Sequence, residues 1–149
     1  FMNMPTYDES QWLEFKNKID AKIEPLEANK ICGSDKSTEV FKTCYRHLKA
    51  TNLRGIISLE NQDVATYHPP VKPDLIICNP PYGKRLELNK AITFGIKQFI
   101  DRECKSTTQV YILTSEESMI RELGAEGEKI MSFKNGGLSV SLYRMRKQP

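Results

Sequence analysis

The sequence predicts an α/β domain whose mainly parallel sheet is finished, at its C-terminal end, by an antiparallel pair of strands. Three observations predict it. The short runs "LIIC" and "QVYILT" are apolar on both faces, which suits strands covered from both sides. Amphipathic helical stretches alternate with such runs, the pattern of βαβ units. Near the end, "EKIMSFKNGGLSVSLYRMR" sets Asn135-Gly136-Gly137 between two strand-like arms. That is a hairpin signal, because a tight turn needs φ > 0 at its centre.

In chain order, "ESQWLEFKNKIDAKI" (9–23) places Trp12, Phe15, Ile19 and Ile23 at helical spacing, with Thr6 or Asp8 as N-cap and the aromatics expected in the core. "NKICGSDKS" reads as a short strand ending in Gly-Ser-Asp. "STEVFKTCYRHLKATNL" follows as a helix with Val40, Cys44 and Leu48 repeating every four residues. A second short strand is expected over Ile56 to Leu59, and the prolines of "YHPPVKPD" forbid regular structure after it. Leu75 to Cys78 is the third strand, expected to be buried on both faces. "LNKAITFGIKQFIDREC" then presents Ile92, Ile96, Phe99 and Ile100 on one helical face. "TQVYILTS" is a fourth strand, and "EESMIRELG" a short helix that Gly124 ends. In the last arm Leu138, Val140 and Leu142 alternate with Ser139, Ser141 and Tyr143.

At 149 residues, 39% apolar and 28% charged, the chain has the composition of one globular domain. A net charge of +3 is far from the basic footprint of a protein held to nucleic acid mainly by charge, and neither proposes nor excludes such a substrate. Cys32, Cys44, Cys78 and Cys104 show no C-x-x-C or His-paired spacing, so no metal site is expected. They read as reduced core residues of a cytoplasmic protein. No apolar run approaches the ~20 residues of a membrane helix. The first residue is Phe1 rather than Met, which reads as an excerpt from something longer.

The stretch richest in chemistry is "DLIICNPPYGKRL" (74–86), where a strand ends in Asn79-Pro80-Pro81-Tyr82. Ligands of open α/β sheets sit at the carboxyl ends of strands. Two prolines fix φ near ~−65° and stiffen the loop. They also remove two N–H donors, leaving the Asn79 side-chain oxygen and backbone carbonyls as acceptors, and an acceptor-rich pocket suits an –NH₂ group. Tyr82 adds a flat face, and stacking of a base on an aromatic ring is worth ~1–3 kcal/mol. The guest implied is a planar ring with an exocyclic amine. Two acceptors would hold its nitrogen in line for attack on an electrophile such as a methyl sulfonium. Asp35, at the end of its strand, could bind ribose hydroxyls, and Asp63, after the next strand, an adenine amino group. For either aspartate alone a helix N-cap or a solvated turn fits as well, and N-P-P-x can equally be a rigid turn.

The motifs "FMNMPTYDESQW", "GSDKS", "LENQDV", "ICNPPYGKRL", "YILTS" and "FKNGGLSVSLYR", in this order, resemble the catalytic domain of the RlmL-like family. These are class I S-adenosylmethionine-dependent methyltransferases of ribosomal RNA guanine N2, associated with a THUMP domain and often labelled N6-adenine-specific DNA methylases. The resemblance covers nearly the whole chain. It implies a Rossmann-like sheet with a C-terminal antiparallel hairpin, and S-adenosylmethionine as cofactor. By position, Asn79, Pro80, Pro81 and Tyr82 would hold the target base, with Asn79 also at the cofactor. Asp35 with Ser34 would hold the ribose, and Asp63 with Gln62 and Asn61 the adenine end. Lys84 and Arg85, more than Arg144, Arg146 and Lys147, would meet RNA phosphate.

The resemblance also implies a first strand and glycine-rich loop, and no G-x-G precedes Asp35. In the family these lie before "MPTYDESQW", so the sequence reads as beginning just after them, without the THUMP domain and with an incomplete cofactor site. The family strand order, 3-2-1-4-5-7-6, puts the first strand between those assigned to Ile31 and Leu75. The expectation is that these two strands pair directly, or that an upstream segment or self-association fills the gap; an open slot would argue against the assignment. Three functions follow: an RNA guanine-N2 methyltransferase whose fragment alone is inactive and binds cofactor weakly, a protein glutamine N-methyltransferase, or a remnant serving as a binding module.

Overall fold

A computed structural model of the chain describes residues 2–51, 53–81, 86–124 and 126–146. The elements run α1 (Glu9–Asp20), β1 (Cys32–Ser34), α2 (Thr38–Lys49), β2 (Ser58–Glu60), β3 (Leu75–Cys78), α3 (Leu86–Glu103), β4 (Gln109–Thr114), α4 (Glu117–Glu122), β5 (Glu126–Asn135) and β6 (Leu138–Arg146). Most start and stop on local chemistry. Asp8 caps α1 by accepting from the Gln11 amide, and Ser37 caps α2 by accepting from that of Val40. Gly124, at φ 72°, follows the end of α4. Gly136 and Gly137, at φ 57° and 84°, join β5 to β6 through a two-residue turn with both φ positive, as the Asn-Gly-Gly string predicts.

The strands form two sheets. β1 and β2 pair in parallel, and a second sheet runs β3-β4-β6-β5, with β3 parallel to β4 and the last two ladders antiparallel. Written together, β2-β1 and β3-β4-β6-β5 reproduce the expected order with the place between β1 and β3 open. The expectation of direct pairing therefore fails: the two strands share no ladder, and among the described residues no segment lies between them. This is the outcome set against the strand assignment, yet the order of every remaining strand upholds that assignment.

The core lies where the second sheet is covered. Ile96 and Ile100 of α3, Met119 and Ile120 of α4, and Ile112 and Tyr143 of β4 and β6 meet there, with Ile112 fully buried. As expected, Ile96, Phe99 and Ile100 are buried and Ile92 packs partly against them.

Elsewhere the burial differs from expectation. β3 is covered on one face only: Leu75 and Ile77 are 53% and 73% exposed, because no described residue packs closely over them on the open side. α1 has no buried residue; Trp12 and Phe15 contact each other, ring centroids 6.2 Å apart, but Phe15 and Ile19 face outward. Its apolar stripe suffices for a helix, whereas burial needs a second apolar face, and no helix or strand packs extensively on it among the described residues. Ile23 falls beyond the helix, which stops short of Pro25. On α2 Leu48 is buried while Val40 and Cys44 are exposed, so Cys44 is not a core residue; Cys104 is buried, Cys32 and Cys78 partly so, and all four are free thiols. β2 begins two residues later than expected. The amides of Ile56 and Ile57 both donate to the Leu53 carbonyl, beside Gly55 at φ 81°, and that turn withholds them from the strand.

Candidate functional site

The carboxyl ends of β1, β2 and β3 converge on a cavity of about 520 Å³, whose far wall is the first half of α3. Ser34 and Asp35 line it from β1, Gln62 and Asp63 from β2, and Cys78, Pro80 and Pro81 from β3. Of the positions expected to share one ligand, Ser34, Asp35, Gln62, Asp63, Pro80 and Pro81 line this one cavity, whereas Asn79 and Asn61 are not among its lining residues.

Each loop is fixed by local hydrogen bonds. The Asp35 Oδ1 accepts from the Ser37 amide (2.7 Å), which turns the chain into the α2 cap. Asn61 staples two loops, donating from Nδ2 to the Asp35 carbonyl and accepting at Oδ1 from the Thr38 hydroxyl, both at 2.8 Å. Asp63 folds its own turn: Oδ1 accepts from the Ala65 amide at 2.9 Å, and its carbonyl from the amides of Thr66 and Tyr67. Gln62 Nε2 donates to the Thr66 carbonyl at 2.9 Å. Both aspartates therefore do the turn-forming work weighed as the alternative while still lining the cavity; Ser37, not Asp35, is the helix cap.

Charge in the cavity is partly balanced, since Lys36 Nζ lies 3.6 Å from the Asp63 carboxylate. The thiol of Cys78 is pushed up to about 11 by burial, so it stays neutral and acts as apolar wall. Pro80 is buried and Asn79 exposed. Tyr82, Lys84 and Arg85 lie outside the described residues, as do Lys147 and the Arg146 side chain. Arg144 is tied up: its guanidinium donates to Glu128 at 2.6 Å, and that carboxylate raises its pKa further. No group of three His, Cys, Asp or Glu side chains fit for a metal occurs among the described residues.

Sequence reasoning missed the contribution of α3. Phe94 and Ile92 present apolar surface to the cavity, and Phe94 is 62% exposed. An aromatic one position off the buried stripe of α3 was the available signal. Gly95 lets the β2 loop approach: a Cβ there would sit 3.2 Å from Val64 Cγ1 and 3.4 Å from the Ala65 Cβ.

The model of the RMKL-like methyltransferase domain family (UPF0020) matches residues 2–144. The chain belongs to this family. As an RMKL-like domain it is 25% identical over 139 residues to the ribosomal RNA large subunit methyltransferase K/L of Legionella pneumophila (strain Lens), covering 92% of this chain and 20% of that protein. With slr0064 of Synechocystis sp. it shares 23% identity over 146 residues, 97% of this chain and 38% of the relative. The RMKL-like chain thus spans well under half the length of these curated relatives. Among solved structures, SMU.472 complexed with SAH superposes with a TM-score of 0.80 at 21% identity, over 100% of this chain and 40% of that one. At that identity the likeness is one of fold, the class I methyltransferase architecture. It agrees with the strand order seen here.

Proposed function

We propose that the protein carrying this chain transfers a methyl group from S-adenosylmethionine to an exocyclic amino nitrogen of an RNA base, guanine N2 of large-subunit ribosomal RNA. The observation that carries the reading is the proline loop at the end of β3, whose Pro80 and Pro81 line the same cavity as Asp35 and Asp63. The cavity suits the adenosine half of the cofactor. Its volume lies within the ~300–1,000 Å³ of small-molecule sites. Two carboxylates stand at adjacent strand ends, and Ile92 and Phe94 supply a flat apolar wall. Ser34 and Asp35 would hold the ribose, and Gln62 and Asp63 the adenine.

When bound, the cofactor supplies a methyl group on a positively charged sulfur. The chain's part is to present the nucleophile. The Asn79 side-chain oxygen and a proline carbonyl accept from the two N–H groups of the amine, aiming the nitrogen lone pair along the line of attack. Both acceptors would favour the positive charge that the nitrogen gains as the methyl carbon passes from sulfur, which keeps the electron pair of the broken bond, to nitrogen, before a proton leaves to water. Prolines on both sides of the carbonyl keep it from relaxing away. Tyr82 would stack the base, with Lys84 and Arg85 on RNA phosphate. The four free cysteines fit a reducing cytoplasm.

The open place between β1 and β3 is to be filled by a further strand, from an upstream segment or a second copy. By itself the 149-residue chain should bind S-adenosylmethionine weakly and be inactive; tight binding in calorimetry would overturn that. The central test is methyl incorporation from labelled S-adenosylmethionine into unmodified large-subunit RNA by the protein carrying this chain. Asn79→Ala should abolish it with the fold intact, and unchanged turnover sinks the mechanism. Labelling of a glutamine-containing peptide but not RNA would assign the same acceptor pocket to a protein substrate.

A further inference from the structure

The turn that walls the adenine side of the cavity is held from behind by a cluster the chemistry above does not use. Asp63 closes a single helical turn, so the carbonyls at its far end lack partners within it. Arg102, near the end of α3, supplies them. Its Nη1 donates to the Ala65 carbonyl at 2.8 Å and its Nη2 to the Tyr67 carbonyl at 2.7 Å. The third arm, Nε, donates to Glu103 Oε1 at 2.8 Å, and the same oxygen lies 2.7 Å from His68 Nδ1. Glu103 is 6% exposed. Burial alone would raise its carboxyl, but the hydrogen bonds from Arg102 and His68 outweigh that and hold it below its ordinary value, so it stays a carboxylate.

Gly95, Phe99 and Arg102 stand at i, i+4 and i+7, on one face of α3. The face receives the loop at three points. Gly95 leaves room for Val64, Phe99 stacks on Tyr67 with centroids 5.9 Å apart and planes within 4°, and Arg102 takes the carbonyls. A planar fork with fixed donor directions suits two carbonyls at once, which a lysine cannot match.

We propose that Arg102, anchored by Glu103, is a positioning residue that sets the adenosine affinity of the cavity by clamping the turn Asp63–Tyr67 onto α3. Arg102 is not among the residues lining the cavity, and its effect on affinity rests on the cofactor reading given above; the clamp itself does not.

The test compares wild type with Arg102→Ala and Arg102→Lys in the protein carrying this chain. Amide hydrogen exchange of Thr66 and Tyr67 is read without ligand, the amides of Val110 and Ile112 serve as core controls, and S-adenosylhomocysteine affinity is read by calorimetry. Loss of charged hydrogen bonds to a loop predicts about tenfold faster exchange at Thr66 and Tyr67 and about tenfold weaker binding in Arg102→Ala. Arg102→Lys, keeping one bond, should fall between. Unchanged exchange at the loop overturns the proposal, as does faster exchange at the core amides to the same extent, which would mark Arg102 as merely structural. A loosened loop with unchanged affinity overturns the link to binding. If wild type itself fails to bind the nucleoside, the cofactor reading falls, and loop exchange alone decides the clamp.

Discussion

Cys78 illustrates how one side chain reports on the cavity. Its thiol sits at the end of β3, partly buried, and burial raises it to about 11. Because the thiolate is the reactive form, iodoacetamide at pH 8 should modify exposed Cys44 well before Cys78, and an adenosyl ligand should slow Cys78 further; peptide mass spectrometry would follow both. The same shift sets a pH dependence. A thiol whose folded value lies above its ordinary 9.0 contributes stability that is complete below pH 9 and lost as the pH rises toward about 11. Tyr67, pushed up to about 12 chiefly by burial, adds to the loss in the same direction. Urea denaturation at pH 8 and 10.5 should therefore show a fall in stability that is smaller in Cys78→Ala. At this scale the sequence was informative about who stands at the strand ends, Asp35, Asp63 and Asn79 included. It was silent on Arg102 and Glu103, whose loop partners Ala65, Tyr67 and His68 lie more than thirty residues away in the chain and leave no local pattern.

At the scale of elements, turn chemistry and packing make separable predictions. At Gly127, in β5, an added Cβ would overlap the Cγ2 of Ile120 on α4. Gly127→Ala should cost roughly 1–3 kcal/mol by overpacking, read as a lower urea midpoint at unchanged slope. At Gly136 the φ of 57° is one that L side chains resist, while nothing lies near its Cβ position. Gly136→Val should therefore cost about 1–2 kcal/mol through backbone strain alone. The hairpin was legible because Asn-Gly-Gly encodes its turn locally, and β3 because its apolar run is bounded by Asp74 and Asn79. α1 was legible as a helix but not as a surface one. Trp12, Phe15 and Ile19 read as core because period alone carries no information on whether a partner face arrives. The ends of β2 were missed because a turn at Leu53–Ile57 competes with the strand for the same apolar residues.

For the whole molecule the decisive feature is the pair of strand edges, of β1 and β3 on either side of the cavity, that no strand among the described residues pairs, with Leu75, Ile77 and Ile31 exposed. Such edges pair with other strands when they can. The isolated chain should accordingly bind a hydrophobic dye and associate as its concentration rises, whereas a segment supplying a strand between β1 and β3 should suppress both and raise the melting temperature. Light scattering and dye fluorescence would check this. The sequence by itself determined the elements, their order and the position of the Asn-Pro-Pro loop at a strand end, because these follow from apolar period, caps and turn residues within short windows. Only the tertiary structure decided that the sheet is split, that α1 and one face of β3 stay open, and that α3 holds the β2 loop through Arg102. Burial and edge closure depend on pairings between distant parts of the chain, and no local pattern states whether the partner is present.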